Sequence, residues 1–150
     1  MTNIELDFSK NINILVIGDV MLDKYWIGEV SRVSPEAPVP ILKARDVEYR
    51  AGGASNVALN LASLGGNVSI FGVIGDDYSG LELSKLIKKS NVKNNLIVQK
   101  NIKTTVKLRC LSGNHQLLRI DFEDNPTNYK FSINNKKFLQ CVEKSDFIVF

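Results

Sequence analysis

Short apolar runs alternate with amphipathic segments along most of this chain, and that alternation constrains the fold more than any other feature. INILVIG (12–18) is apolar, rich in β-branched residues and closed by glycine. A run of that length without a polar residue at every second position suits a buried strand of a parallel sheet. NVSIFGV (67–73) repeats the pattern, 96–99 adds a short strand, and DFIVF (146–150) opens a further buried one. Between them, Val57, Ala58, Leu61, Ala62 and Leu64 recur at helical spacing and stop at Gly65-Gly66. Leu81, Leu83, Leu86 and Ile87 give the buried side of a second helix, which starts after Gly75-Asp76-Asp77, takes Asp77 or Ser79 as its cap and runs to about Lys89. Phe138, Leu139 and Val142 face inward from a third, from about Asn134 to Lys144. Strand and helix in turn predict a doubly wound α/β sheet. Because the last strand ends the sequence, that sheet is expected to be incomplete.

Two stretches depart from the alternation. In 24–50, a β-compatible segment is followed by Ser34-Pro35-Glu36-Ala37-Pro38-Val39-Pro40 and a charged β-compatible return. The prolines forbid a helix and argue against a central strand, so the segment reads as a flap outside the main sheet. In 104–122, two β-rich segments flank Ser112-Gly113-Asn114-His115, a hairpin turn signal. The polar run 123–130 reads as a loop, and Ala51-Gly52-Gly53-Ala54 as a turn into the first helix.

Composition narrows the function. With 150 residues, 44% hydrophobic and 23% charged, the chain can bury a core and is neither disordered nor collagen-like. The formal charge of +3 is spread along the chain, with no basic run that would point to nucleic acid. Two cysteines and one histidine, Cys110, Cys141 and His115, are too few and too scattered for a structural zinc site. The cysteines read as buried free thiols. The first ten residues lack a signal peptide's apolar core, and no run approaches the roughly 20 residues of a membrane span. The chain therefore reads as cytoplasmic, with no membrane partner.

Three groups of residues are candidates for chemistry. Asp19 and Asp23 follow the first strand, where open α/β sheets bind ligands. An Asp at this place can accept hydrogen bonds from sugar hydroxyls, since an ionised carboxylate only accepts; Asp19 reads as a turn cap. Gly52-Gly53 before a helix either lets backbone N–H groups approach a ligand or makes a tight turn, and Asn56 offers both a donor and an acceptor. The stretch is neither a phosphate-binding P-loop nor a dinucleotide fingerprint. Lys107 and Arg109 share a strand face and, with Arg119, either grip a phosphate or form a solvated surface. His115 reads as a turn residue and Trp26 as a packing or interface residue.

Taken together, these segments resemble the ribokinase-like (PfkB) carbohydrate kinases. Gly52-Gly53-Ala54-Ser55-Asn56-Val57-Ala58, followed by Gly65 and Gly75, follows that family's N-terminal signature. Gly18-x-x-x-x-Asp23 matches its strand-end motif. GDVMLDKYW (18–26), SRVSPEAPV (31–39), AGGASNVALNLASL (51–64) and LLRIDFE (117–123) are similar to its heptose-7-phosphate kinase branch.

The resemblance implies a ribokinase-like doubly wound sheet with a protruding β-lid, built from about 24–50 and 104–122. It also implies transfer of the γ-phosphoryl group of ATP, with Mg²⁺, to the anomeric oxygen of D-glycero-β-D-manno-heptose 7-phosphate, a step toward ADP-heptose and lipopolysaccharide. Asp23, Gly52, Gly53 and Asn56 are then expected to orient the sugar. Lys107, Arg109 and Arg119 are expected to balance its phosphate or shape the lid. A homodimer through the lid is expected too. The family's catalytic Asp lies in a Gly-Ala-Gly-Asp motif that is absent from residues 1–150, as are its Asn-x-x-x-Glu motif and adenine pocket. The chain is thus expected to be the N-terminal portion of the kinase domain, with neither catalytic nor metal-binding residues and no activity alone. A kinase for ribose, fructose or a nucleoside, and a non-catalytic dimerising remnant, are the rival readings.

Overall fold

The computed structural model describes residues 12–131 and 136–150. In chain order it contains β1 (Asn13–Ile17), β2 (Val20–Val33), β3 (Pro40–Gly53), α1 (Ala54–Ser63), β4 (Asn67–Phe71), β5 (Val73–Gly75), α2 (Tyr78–Lys89), β6 (Lys93–Asn94), β7 (Ile97–Gln99), β8 (Val106–Ser112), β9 (His115–Phe122), a 3₁₀ turn (Pro126–Asn128), α3 (Lys136–Lys144) and β10 (Phe147–Val149).

The main sheet is parallel and ordered β10-β1-β4-β6. Its registers place Ile14 beside Val68 and Val16 beside Ile70, and these residues face a core shared with Ala58 of α1 and Leu83 and Ile87 of α2. Alternation along β4 turns Phe71 to the opposite face. There its ring meets Phe138 of α3 edge-on at 5.3 Å and Phe131 at 6.3 Å. Helices therefore cover both faces, as expected of a doubly wound sheet.

Local chemistry sets the helix ends. Gly65 has φ +95°, and the Gly65 and Gly66 N–H groups donate to the Ala62 and Leu61 carbonyls at 3.0 and 3.1 Å. This pair of bonds ends α1 where glycine alone is unstrained. Asp77 caps α2 by accepting from Gly80 N at 2.8 Å, and its second oxygen accepts from Thr104 N at 2.8 Å. Thr104 in turn accepts from Gly75 N at 2.9 Å. The start of α2 is thereby tied to the segment entering β8.

The segments expected to form the lid make a separate sheet ordered β3-β2-β8-β9. The flap and the hairpin, expected as two excursions, are joined by parallel pairing of β2 with β8, with Asp23 beside Lys107 and Tyr25 beside Arg109. The expected turn at Ala51-Gly52-Gly53 is instead the end of β3, pairing with Leu22, Met21 and Val20. The long antiparallel ladder outweighs the local turn propensity of two glycines.

Other differences are smaller. The strand expected over 67–73 is broken at Gly72 into β4 and β5, which join different sheets. Leu81 is 55% exposed although its spacing suits the buried side of α2, because the packed stripe is Gly80, Leu83 and Ile87. Leu139 is exposed, while Phe138 and Val142 are half-buried. The start expected for α3 near Asn134 lies outside the described residues. β10, expected to be buried, is an exposed edge because β1 covers one side of it and no described strand covers the other.

Candidate functional site

The site lies where β1 ends, where ligands of open α/β sheets bind. Gly18 leaves β1 and Asp19 begins the crossing into the lid. The Asp19 carbonyl accepts from Ala54 N, the first residue of α1, at 2.9 Å. Gly53, the N-cap of α1, has φ +57° and ψ −137°, a conformation that suits glycine. A Cβ there would stand 2.3 Å from the Asp19 carbonyl oxygen. Ser55 donates to the Gly52 carbonyl at 2.5 Å and locks the junction from inside.

A cleft of about 540 Å³ opens beside this junction. Its floor includes Gly18, Asp19, Met21 and Gly72, and Lys107 and Thr105 approach from the lid side. Its far wall is 123–131, contributing Glu123, Asp124, Pro126, Tyr129 and Phe131. The wall is fastened at several points. Tyr129 donates to the Lys103 carbonyl at 3.0 Å, Asp124 accepts from Lys103 N at 2.6 Å, and Lys130 N donates to Gln99 Oε1 at 3.1 Å.

Asp23 stands two residues beyond Met21 on the same face of β2. A Cβ on Gly52 would lie 2.5 Å from Asp23 Oδ2, so the carboxylate rests directly on glycine backbone. The other oxygen, Oδ1, accepts from Arg109 Nη1 at 2.5 Å. That bond to Asp23 holds the Arg109 proton more firmly than in an ordinary guanidinium, against the opposing effect of burial. The Tyr25 ring lies between Arg109 and Arg50, with guanidinium carbons 5.4 and 4.6 Å from its centre. Arg50 pairs with Glu48 and Arg119 with Asp121.

The structure thus joins Asp23, Gly52 and Arg109 in one cluster with Lys107 aligned beside it, and of these four Lys107 alone lines the cleft. Gly53 and Asn56 lie at the adjoining start of α1, Asn56 exposed in its first turn. Arg119 sits opposite Arg109 on β9, farther out on the lid. Asp19, read as a turn cap, lines the cleft. Sequence reasoning missed Met21 and the wall residues Tyr129 and Phe131. Two aromatics in an otherwise polar run were the available signal for the latter, because a surface loop has little reason to carry them unless they pack.

A parallel sheet with helices on both faces, joined at the end of its first strand to a second, four-stranded sheet, is the fold to be placed, and the comparisons place it. The family described as pfkB family carbohydrate kinase matches residues 11–150, and the chain belongs to that family. Among the curated relatives, it is 52% identical over 115 residues to a bifunctional protein HldE from Actinobacillus pleuropneumoniae serotype 5b (strain L20), covering 77% of this chain and 24% of that one. It is 47% identical over 132 residues to an HldE from Haemophilus ducreyi, covering 88% and 28%. The chain therefore spans about a quarter of the length of these relatives. Solved structures share the fold. A carbohydrate kinase from Agrobacterium tumefaciens matches with TM-score 0.69 and 21% identity, covering 91% of this chain and 44% of that one. A fructokinase from Xylella fastidiosa solved with bound ATP matches with TM-score 0.57 and 23% identity, covering 76% and 34%.

Proposed function

We propose that this chain is the sugar-binding and lid-bearing part of a kinase that uses ATP and Mg²⁺ to phosphorylate the anomeric oxygen of D-glycero-β-D-manno-heptose 7-phosphate. The observation that carries the proposal is the seating of the Asp23 carboxylate on the Gly52 backbone, with Lys107 aligned beside it and lining the cleft. A carboxylate accepts hydrogen bonds from sugar hydroxyls, and the absence of a side chain at Gly52 is what gives the Asp23 carboxylate its place. Gly53 and Asn56 extend that cradle at the helix start. Lys107, Arg109 and Arg119 supply positive charge for the 7-phosphate on the same sheet face. Near-half identity to the HldE proteins and the Ser-Pro-Glu-Ala-Pro-Val block favour the heptose substrate over ribose, fructose or a nucleoside.

Phosphoryl transfer depends on in-line positioning and on stabilising charge. The chain's share of that work is to fix the sugar and, through the lid, to keep water from the transferred group. The described residues gather no group of three or more His, Cys, Asp or Glu side chains suited to a metal. The resemblance to the family assigns the nucleotide and Mg²⁺ contacts to the segments that carry Gly-Ala-Gly-Asp and Asn-x-x-x-Glu. The other face of the lid exposes Trp26, Val47, Leu118, Ile120 and Phe122, which supports a homodimer through the lid.

A coupled ADP-release assay with heptose 7-phosphate tests the division of labour. The 150-residue chain should release no sugar-dependent ADP, while a form extended through Gly-Ala-Gly-Asp should. Turnover by the short chain would refute this reading.

A further inference from the structure

Asp23 is already occupied in the structure. Arg109 holds Oδ1 at 2.5 Å, with the two side chains 21% and 17% exposed for Arg109 and Asp23 respectively, and Oδ2 rests on Gly52. Arg109 reaches Asp23 from one register pair away, because β8 aligns it with Tyr25 and aligns Lys107 with Asp23. Lys107 has no ion-pair partner among the described residues and lines the cleft. A sugar hydroxyl that reaches Asp23 competes with a charge-assisted bond at Oδ1, and where it takes that place it leaves a half-buried guanidinium without its anion. A neutral sugar offers that guanidinium only uncharged hydroxyl oxygens in exchange. A sugar carrying a phosphate offers Arg109 a two-point partner of the same charge as the one it loses.

We propose that Arg109 is a specificity-determining latch, occupying Asp23 until the phosphate of an incoming sugar phosphate draws it away. This deepens the sugar-phosphate reading above and rests on it. Selectivity arises from ion-pair exchange as well as from attraction. Removing Arg109 therefore has opposite effects on two ligands: the phosphorylated sugar loses a partner, and the unphosphorylated sugar gains a free carboxylate. Lys107 differs, since its removal deprives the phosphate of a cation without releasing Asp23.

The test is calorimetric titration of the wild-type chain, Arg109→Gln and Lys107→Ala with heptose 7-phosphate and with free heptose, each variant checked for folding by circular dichroism. For Arg109→Gln, the expected result is weaker binding of the phosphorylated sugar by about ten- to a hundredfold, as for a lost charge-assisted bond, with tighter binding of free heptose. Lys107→Ala should weaken the phosphorylated sugar without tightening free heptose. An Arg109→Gln chain that weakens both sugars equally, or changes neither, overturns the latch while leaving the substrate intact. A wild-type chain that does not bind heptose 7-phosphate overturns the substrate reading and the latch together.

Discussion

Gly53→Ala is the substitution whose cost can be worked most fully from the structure. Two penalties act together. The backbone at φ +57° and ψ −137° is sparsely populated for residues other than glycine and costs about 1–3 kcal/mol. The new methyl would also stand 2.3 Å from the Asp19 carbonyl oxygen and 2.9 Å from Met21 Cε. The nearer atom is backbone and accepts the Ala54 N–H bond, so relief requires moving the start of α1. Overpacking of that kind adds about 1–3 kcal/mol. The sum, about 2–6 kcal/mol, is a large part of the 5–15 kcal/mol typical of a domain.

Gly113→Ala is the matched control. Its φ is +56°, but nothing lies within 4 Å of its added methyl, so about 1–2 kcal/mol of conformational cost remains. Loss of unfolded-chain freedom is common to both substitutions and cancels. With a urea slope near 2 kcal/mol/M, the Gly53 variant should unfold roughly 0.5–2 M earlier than the Gly113 variant. Equal midpoints would refute the claim that the end of β3 is clamped against the floor of the cleft.

Asp77→Ala should destabilise the chain by about 2–4 kcal/mol in chemical melts, from the lost α2 cap and the unmade bond to Thr104 N. Burial raises the Asp77 carboxyl, but N–H donation from Thr104 and Gly80 outweighs it and holds the group below the ordinary carboxylate range. Its stabilising effect is thus complete above about pH 4 and fades as pH falls through the lowered value, so acid should cost the wild type more stability than Asp77→Asn. Replacing Leu118 and Ile120 on the exposed lid face with lysine should shift the chain from dimer to monomer in light scattering, with the circular dichroism spectrum unchanged. Gly52→Ala should drive the Asp23 carboxylate off its seat and weaken heptose 7-phosphate binding at least tenfold by calorimetry, about 1.4 kcal/mol.

The frame of the fold was legible because its signals are local. The apolar run ending at Gly18, the Gly65-Gly66 stop and the Asp77 cap each reflect contacts within a few residues. What escaped depends on partners distant in sequence. Gly52 and Gly53 resemble a turn until β2 is seen to pair with them, and the union of flap and hairpin rests on β2 lying beside β8. The candidate residues were legible as types, since carboxylate, glycine pair and cations each suit a sugar phosphate. Their pairings were not, because alternation can place Lys107 and Arg109 on one face without revealing that Arg109 reaches back to Asp23. The wall 123–131 was hidden for a similar reason: its polar residues announce a loop, and its role comes from bonds to Gln99, Lys103 and Thr105.

The central claim is that Asp23, the Gly52–Gly53 strand end, Asn56 and Lys107 hold a sugar phosphate beneath the lid. Titrating the isotopically labelled chain with heptose 7-phosphate while following backbone amide resonances tests it most directly. The largest shifts should fall on Asp23, Gly52, Gly53, Asn56 and Lys107, and Asp23→Ala should abolish them. Shifts confined to another part of the molecule, or unchanged in Asp23→Ala, would contradict the account.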